Sequence, residues 1–204
     1  MKKKKINKFV KIFDYRRFLY DFIKITMSIF VLLDLRIKRI YVKDGKIVKR
    51  TKGMYKGSFL IISNHMSYED PVIISNAFWE RRLSFVATDE LFKKKIFGSF
   101  LKACGTIPID TQNISMGTFK TINKQYDRGH IVAIFPEGHV ERGEKQFKQF
   151  KSGSVLIALN AEVPIIPIYI EKRANRFKRQ KAYIGERIDL KGVLQARKAN
   201  RSDQ

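Results

Sequence analysis

The sequence predicts an α/β domain with a mixed central sheet flanked by helices, and three observations favour this fold class. The chain has 204 residues, enough to bury a substantial core. Its apolar content of 44% is that of a folded globular protein. Short apolar runs alternate with longer segments of helical spacing from about residue 37 onward. We expect a basic amphipathic helical segment at 1–36, the α/β domain at 37–190 and a basic tail at 191–204.

Seven segments have the composition of β-strands. Each is a short run rich in β-branched or other apolar residues, and the second and fifth runs are apolar enough to be buried strands. The Asp44-Gly45 pair after the first run predicts a tight turn. The predicted strands are 37–42, 59–63, 83–87, 105–110, 130–135, 164–170 and 181–188.

Four segments between these runs predict helices. Asp70 followed by Pro71 is a typical helix start, because Asp caps free amide groups and Pro fits the first helical position. Gly129 is placed to end the third helix. The second helix has one broad apolar face, made of Leu91, Phe92, Ile96, Phe97 and Phe100. The predicted helices are 70–79, 90–103, 115–127 and 154–160.

The charge of the chain is concentrated at its two ends. There are 42 Lys and Arg residues against 19 Asp and Glu, a net charge of +23. Residues 1–50 carry a net +12 and residues 172–204 a net +8, which leaves only +3 for the middle. An anionic membrane surface and nucleic acid are the usual partners of such charge. Since no nucleic-acid-binding motif accompanies the charge, a nucleic-acid partner is not expected.

The N-terminal segment favours a membrane surface. Aromatic residues are mixed with Lys and Arg over 9–20, and 25–33 is uncharged but far shorter than the ~20 residues of a spanning helix. No small-residue cleavage site follows. We expect residues 1–35 to lie as amphipathic helices on an anionic membrane surface, or alternatively to pack on the chain's own domain. The single cysteine, Cys104, indicates a reducing compartment, so we expect a peripheral or monotopic protein at the cytoplasmic face of the cell membrane.

A histidine and an aspartate follow the second predicted strand at a spacing of five residues. His65 comes directly after Asn64, and Asp70 stands at the predicted start of the next helix. A loop of this length can fold back, so that Asp70 accepts a hydrogen bond from one ring nitrogen and the other acts as a base. The alternative is that Asp70 is a simple helix cap. No nucleophile-elbow sequence lies nearby, so the pair would activate a substrate hydroxyl directly.

A second candidate site follows the fifth predicted strand, in the sequence Phe135-Pro-Glu-Gly138. Pro136 stiffens the chain, Gly138 allows close approach of a ligand, and Glu137 offers a carboxylate at the mouth of the sheet. The cations of the following loop can meet a phosphate, although a solvated surface loop is the alternative interpretation. These cations are Arg142, Lys145, Lys148 and Lys151.

Together these blocks resemble the glycerolipid acyltransferase family, that of the 1-acylglycerol-3-phosphate (lysophosphatidate) acyltransferases. The Asn64-His65-x4-Asp70 block resembles the first family motif, and 135–138 resembles the third. Gly-Thr-Ile-Pro-Ile-Asp at 105–110 resembles the second motif and Val-Pro-Ile-Ile-Pro-Ile at 163–168 the fourth, while 150–153 is similar to the segment after the third. The blocks occur in family order and cover roughly residues 40–190.

The resemblance implies a reaction and a site. A fatty acyl group would pass from a thioester, either acyl-CoA or acyl carrier protein, to a hydroxyl of a lysophospholipid, with no metal and no bound cofactor. His65 would take the hydroxyl proton, Asp70 would orient His65, and the alkoxide would attack the thioester without an acyl-enzyme. Glu137 and Gly138 would help to bind the acceptor.

Two departures from the family pattern leave the acceptor open. The second motif normally ends in an arginine that contacts the acceptor phosphate, but Thr111 occupies that position. The third motif normally continues Thr-Arg, whereas this chain has His139 and Val140, with Arg142 two residues beyond the expected arginine. We expect Thr111, Arg142 and Lys151 to line the acceptor site. Another lipid hydroxyl as acceptor, or a non-catalytic basic membrane-binding protein of the same fold, are the alternatives.

Overall fold

The computed structural model describes residues 18, 21–26, 29, 36–50, 54–110, 114–137, 153–173, 175 and 178–192. Eight strands within these ranges form one sheet in the order β2-β1-β8-β7-β3-β6-β4-β5. The strands are β1 (Lys38–Lys43), β2 (Lys46–Val48), β3 (Leu60–Ser63), β4 (Leu83–Thr88), β5 (Ile107–Ile109), β6 (Ile131–Ile134), β7 (Ile165–Ile170) and β8 (Lys181–Ile184). The helices are α1 (Asp70–Ala77), α2 (Asp89–Phe92), α3 (Lys95–Ala103), α4 (Met116–Asp127) and α5 (Gly153–Asn160).

The sheet is mixed, as predicted. Strands β7, β3, β6, β4 and β5 are parallel neighbours, so all five end at one edge, which we call the carboxyl edge, and begin at the opposite amino edge. Strand β8 runs antiparallel to β7 and parallel to β1, so both β8 and β1 begin at the carboxyl edge. Loops that follow parallel strands therefore converge at the carboxyl edge, where α/β folds usually hold their functional residues.

The middle of the sheet is buried on both faces. Leu60 and Val132 contribute to a core shared with α4 and α5, whereas Ile61 and Ala133 contribute to a core on the face covered by α1. Each large apolar side chain buried in this way contributes about 1.5–3 kcal/mol to stability. Strands β3 and β6 thus form the rigid centre of the domain, and the loops that follow them start from fixed positions.

The structure departs from the predicted elements in three places, of which the simplest is the last strand: it was predicted over 181–188, but β8 ends at Ile184. The single helix predicted over 90–103 is wrong: α2 and α3 are separate, because Gly98 packs against the main chain of Phe92, where an added Cβ would lie 2.3 Å from the carbonyl oxygen. The tight turn at Asp44 and Gly45 leads into a strand, β2, that was not predicted. Both residues have positive φ angles, 50° and 71°, as a two-residue hairpin turn of this kind requires.

The described part of the N-terminal segment includes a helical stretch at 21–26 that contacts the amino edge. Lys24 Nζ donates to the carbonyl oxygens of Trp79 (2.8 Å) and Arg81 (2.7 Å), and Asp21 pairs with Arg82. The alternative prediction, in which the N-terminal segment packs on the chain's own domain, therefore holds for 21–26. Four large apolar side chains in or beside this stretch are at least half exposed: Phe18, Phe22, Ile25 and Ile29. Binding of residues 1–35 to a membrane stays a prediction, and so do the domain limits.

Within the described ranges, no helix combines the length and the apolarity needed to cross a bilayer.

Candidate active site

Asn64 fixes the start of the loop that leaves β3. Its side chain is 3% exposed, its Nδ2 donates to the carbonyl oxygen of Ile170 (3.0 Å), and its Oδ1 accepts from the amide of Ile170 (2.8 Å). An amide side chain can make both bonds because it is donor and acceptor at once. Asn64 thereby joins the ends of neighbouring strands β3 and β7, and it holds the next residue in place. Sequence reasoning gave it no role of its own.

Asp70 organises the loop that carries His65. Its carboxylate is 1% exposed, and Oδ2 accepts from the amides of Met66 (2.6 Å) and Ser67 (2.8 Å) and lies 3.0 Å from His65 Nδ1. A buried carboxylate needs such partners to offset its loss of hydration. Ser67 adds a turn bond, with its Oγ accepting from the amide of Glu69 (3.1 Å). The predicted contact between the histidine and the aspartate is therefore present.

The alternative in which Asp70 is a simple helix cap does not hold. Glu69 occupies the cap position of α1, and Asp70 is the first helical residue. The Asp70 carboxylate turns back to the amides of residues 66 and 67, rather than forward to the first turn of its own helix. Its hydrogen bonds therefore close the loop around His65, although the catalytic roles of both residues stay predictions.

His65 has one nitrogen engaged and one open. The bond to Asp70 assigns the proton to Nδ1, so Nε2 carries the lone pair. Nε2 has no hydrogen-bond partner among the described residues, and the side chain is 15% exposed. The ring stacks on Phe135 with centroids 4.1 Å apart, and Phe85 stacks on Phe135 in turn. An oriented imidazole with a free basic nitrogen is the arrangement that a general base requires.

No protein nucleophile accompanies this base in the part of the chain that the structure describes. No serine, threonine or cysteine there hydrogen-bonds to His65. Burial raises the pKa of the Cys104 thiol to about 11, so this residue is protonated at neutral pH and is a poor nucleophile. Nε2 is therefore open to a hydroxyl brought by a substrate.

The third motif lies next to the first because β6 is paired with β3. Phe135 follows β6 directly, and Glu137 is buried two residues later at the same carboxyl edge. The stacking of His65 on Phe135 was not predicted. The position of Phe135 beside His65 depends on the strand order, which the motif sequence does not reveal. Four predicted site residues lie outside the described residues: Thr111, Gly138, Arg142 and Lys151.

The described residues contain no group of three or more His, Cys, Asp or Glu side chains arranged to hold a metal ion.

Comparison with known proteins gives consistent results. The family model described as Acyltransferase matches residues 39–171. A 1-acyl-sn-glycerol-3-phosphate acyltransferase of Streptococcus pneumoniae is 32% identical over 114 residues, which cover 54% of this chain and 40% of that protein. The enzyme of the same name from Bacillus subtilis is 31% identical over 109 residues, covering 53% of each chain. A probable one from Mycoplasma pneumoniae is 31% identical over 138 residues, covering 64% of this chain and 51% of that protein.

A solved structure shares the fold. The crystal structure of the 1-acyl-sn-glycerophosphate (LPA) acyltransferase from Thermotoga maritima matches with a TM-score of 0.55 at 19% identity, covering 87% of this chain and 72% of that one. The chain spans about half the length of the curated relatives it matches. The family match covers more than half of this chain and includes both His65 and Asp70. The chain therefore belongs to the acyltransferase family.

Proposed function

We propose that this protein transfers a fatty acyl group from a thioester to the free hydroxyl of a lysophospholipid. The observation that carries the proposal is the His65–Asp70 pair, with Nδ1 held by a buried carboxylate and Nε2 open at the carboxyl edge. The relatives named 1-acyl-sn-glycerol-3-phosphate acyltransferase support 1-acylglycerol-3-phosphate as the acceptor.

The chemistry follows from the open nitrogen. His65 Nε2 takes the proton of the acceptor hydroxyl as its oxygen attacks the thioester carbonyl. The new C–O bond forms, the C–S bond breaks, and the leaving thiolate recovers the proton from the imidazolium. Asp70 stabilises the imidazolium and keeps the ring oriented throughout. No acyl-enzyme is needed, because the acceptor itself is the nucleophile.

The acceptor phosphate would be bound by residues of the third motif and of the loop that follows it. Glu137 and Gly138 stand in the third motif, and Arg142 with Lys151 supplies positive charge in the loop that follows. Thr111 replaces the arginine that the family usually has after its second motif. That replacement is what favours a second candidate, in which the acceptor is a lipid hydroxyl without a phosphate at the family position.

Membrane association and the donor belong to the same proposal. A lysophospholipid resides in a bilayer, and the exposed apolar side chains at 18, 22, 25 and 29 together with the basic residues of 1–35 suit an anionic membrane surface. The cytoplasmic face is where a thioester donor is available. The donor is either acyl-CoA or acyl carrier protein, with no bound cofactor.

A lipid-product assay tests the proposal. The full chain is incubated with a panel of lysolipids and monoacyl lipids, each with both thioester donors, and the products are identified by mass spectrometry. Ester formation on 1-acylglycerol-3-phosphate or another lysophospholipid supports the first candidate, and ester formation only on acceptors without phosphate supports the second. Thioester consumption that matches neither pattern, or no consumption with any pair, contradicts the proposal.

His65→Ala assigns the activity to this site. His130→Ala is the matched control, because His130 lies at the amino edge, where its Nδ1 is 3.3 Å from Ser84 Oγ. Loss of product in the first variant and retention in the second are expected. Equal turnover in both variants would place the chemistry elsewhere.

A further inference from the structure

Helix α3 presents an apolar face that no described part of the chain covers. Ile96 is 90% exposed, Phe97 42% and Phe100 43%, and the two phenylalanine rings stack with centroids 6.3 Å apart. Isolated exposed apolar residues are ordinary on protein surfaces. Three large ones within one turn of one helix form a patch, and such patches mark a contact with a partner or a membrane.

The inner side of α3 is fixed independently of this face. Gly98 is buried against the main chain of Phe92 in α2, and its lack of a side chain is what allows that approach. The amide of Gly98 donates to the carbonyl oxygen of Lys94 (2.6 Å), which anchors the first turn of the helix. This contact holds α3 from its inner side, while Ile96 and large parts of Phe97 and Phe100 stay open to solvent.

The charge around the patch indicates what that partner is. Lys93, Lys94, Lys95 and Lys102 are all exposed, and none of them forms an ion pair with another described residue. Cores of protein–protein interfaces are depleted in lysine. Exposed lysines close to aliphatic and aromatic side chains are instead typical of helices that lie in the interface of an anionic bilayer.

The place of α3 in the fold connects this patch to the site. Helix α3 follows β4 by way of α2, at the carboxyl edge to which His65 also belongs. The N-terminal stretch at 21–26 contacts residues 79–82 instead, at the amino edge. Attachment through the N-terminus alone therefore leaves open which edge faces the lipid. A second contact point beside the site determines that orientation.

We propose that α3 is a second membrane-binding element, which inserts Ile96, Phe97 and Phe100 into an anionic lipid surface and turns the carboxyl edge toward it. This inference rests on the proposed function, since it is the lipid acceptor that gives the orientation its purpose. It goes beyond that function in assigning a membrane contact outside residues 1–35.

Vesicle binding tests the proposal with the full chain. Ile96→Asp and the double variant Phe97→Ser/Phe100→Ser are compared with Ile47→Asp, because Ile47 is also a highly exposed isoleucine, 74%, but lies on β2. On vesicles of phosphatidylglycerol and phosphatidylcholine, both α3 variants should bind at least about tenfold more weakly, as expected when a buried apolar side chain is lost. Ile47→Asp should bind like the unmodified chain. Equal binding by all four proteins overturns the proposal.

Depth-dependent quenching locates the contact directly. The chain has a single tryptophan, Trp79, so Phe97→Trp in a Trp79→Phe background gives one reporter on α3. Brominated lipids should quench this reporter strongly, and a reporter at Ile47 in the same background weakly. Equal quenching at the two positions overturns the proposal even if an α3 variant folds poorly. Loss of self-association in Ile96→Asp without loss of vesicle binding would show that a second copy covers the face.

Turnover separates this inference from the proposed function. Ile96→Asp should lower transfer to a vesicle-presented acceptor relative to transfer to a water-soluble short-chain acceptor, because α3 does not contact the reacting atoms. An unchanged ratio counts against α3. If the unmodified chain transfers no acyl group at all, the proposed function fails, while vesicle binding and quenching still decide whether α3 binds the membrane.

Discussion

The two edges of the sheet use charge in different ways. A cavity of about 550 Å³ lies at the amino edge, lined by charged residues that include Asp21, Lys24, Arg81 and Arg82. The described centre of the carboxyl edge holds the loop around His65 and Asp70, with Phe135 and Glu137 following β6 beside it. A charged cavity alone would point to the amino edge, whereas the hydrogen bonds point to the carboxyl edge.

The hydrogen bonds explain the difference. At the amino edge Lys24 donates to two carbonyl oxygens, Arg81 donates to those of Gly57 and Gly129, and Arg82 pairs with Asp21. These cations attach the N-terminal stretch and the neighbouring turns to the domain. At the carboxyl edge, His65 is oriented by one nitrogen and open at the other. An oriented side chain with an unused hydrogen-bonding nitrogen identifies a candidate site better than a charged cavity does.

The largest effect is expected from removal of the Asp70 carboxylate. Asp70→Ala leaves the amides of Met66 and Ser67 without their acceptor, so it should lower the free energy of unfolding by about 3 kcal/mol and lower turnover by about 10²–10⁴-fold. Asp70→Asn keeps an acceptor oxygen, so it should lose much less stability but a similar share of turnover. Urea unfolding and product formation measure the two effects. A stable and active Asp70→Ala variant would show that this edge resembles the amino edge.

The next effect is expected at Asn64. Asn64→Asp keeps an acceptor for the amide of Ile170 but sets a carboxylate against its carbonyl oxygen, so it should cost about 2 kcal/mol of stability and lower kcat by displacing His65. Asn76→Asp is the matched control, because among the described residues the Asn76 side chain bonds within its own helix, to the carbonyl oxygen of Val72. If the two variants lose kcat equally, the link between β3 and β7 does not position the base.

A smaller effect is expected at Phe135. Phe135→Leu removes the ring on which His65 stacks, and such stacking contributes about 0.5–1.5 kcal/mol. We expect kcat to fall by about tenfold or less, with KM for the thioester nearly unchanged. Steady-state kinetics at saturating acceptor measure kcat and the KM for the thioester separately. A change confined to KM would assign Phe135 to substrate binding instead.

The smallest effect is expected at the amino edge and depends on pH. Burial lowers the pKa of Lys24 to about 8 from 10.5. The folded chain therefore loses this proton at a lower pH than the unfolded chain, and the contribution of Lys24 to stability rises between pH 8 and 10.5. The difference in unfolding free energy between the unmodified chain and Lys24→Met should be more favourable to lysine at about pH 10 than at neutral pH. A constant difference would mean that the lysine is not buried in solution.

Local patterns were enough to predict much of the domain and part of the site. The spacing from His65 to Asp70 predicts their contact, because the short loop that joins them can fold back on itself. The apolar runs predict β3 and β6, because a strand that is buried on both faces is a short continuous run of apolar residues.

The features that could not be predicted depend on distant parts of the chain. The pair of Asn64 with Ile170 joins residues 106 positions apart, and the stack of His65 on Phe135 requires β3 and β6 to be neighbours. The order of the strands in the sheet cannot be read from the residue pattern of any single strand. The break between α2 and α3 depends on a close contact of Gly98 that helical spacing does not reveal.

The proposed mechanism requires His65 and Asp70 to act as one unit. A double-mutant comparison of turnover tests this directly. His65→Ala, Asp70→Asn and the double variant are assayed with 1-acylglycerol-3-phosphate and the better thioester donor. His65→Ala should lower turnover by about 10²–10⁴-fold, and the double variant should be no slower, because Asp70 acts through the imidazole. Turnover of His65→Ala close to that of the unmodified chain, or losses that multiply in the double variant, would contradict the account.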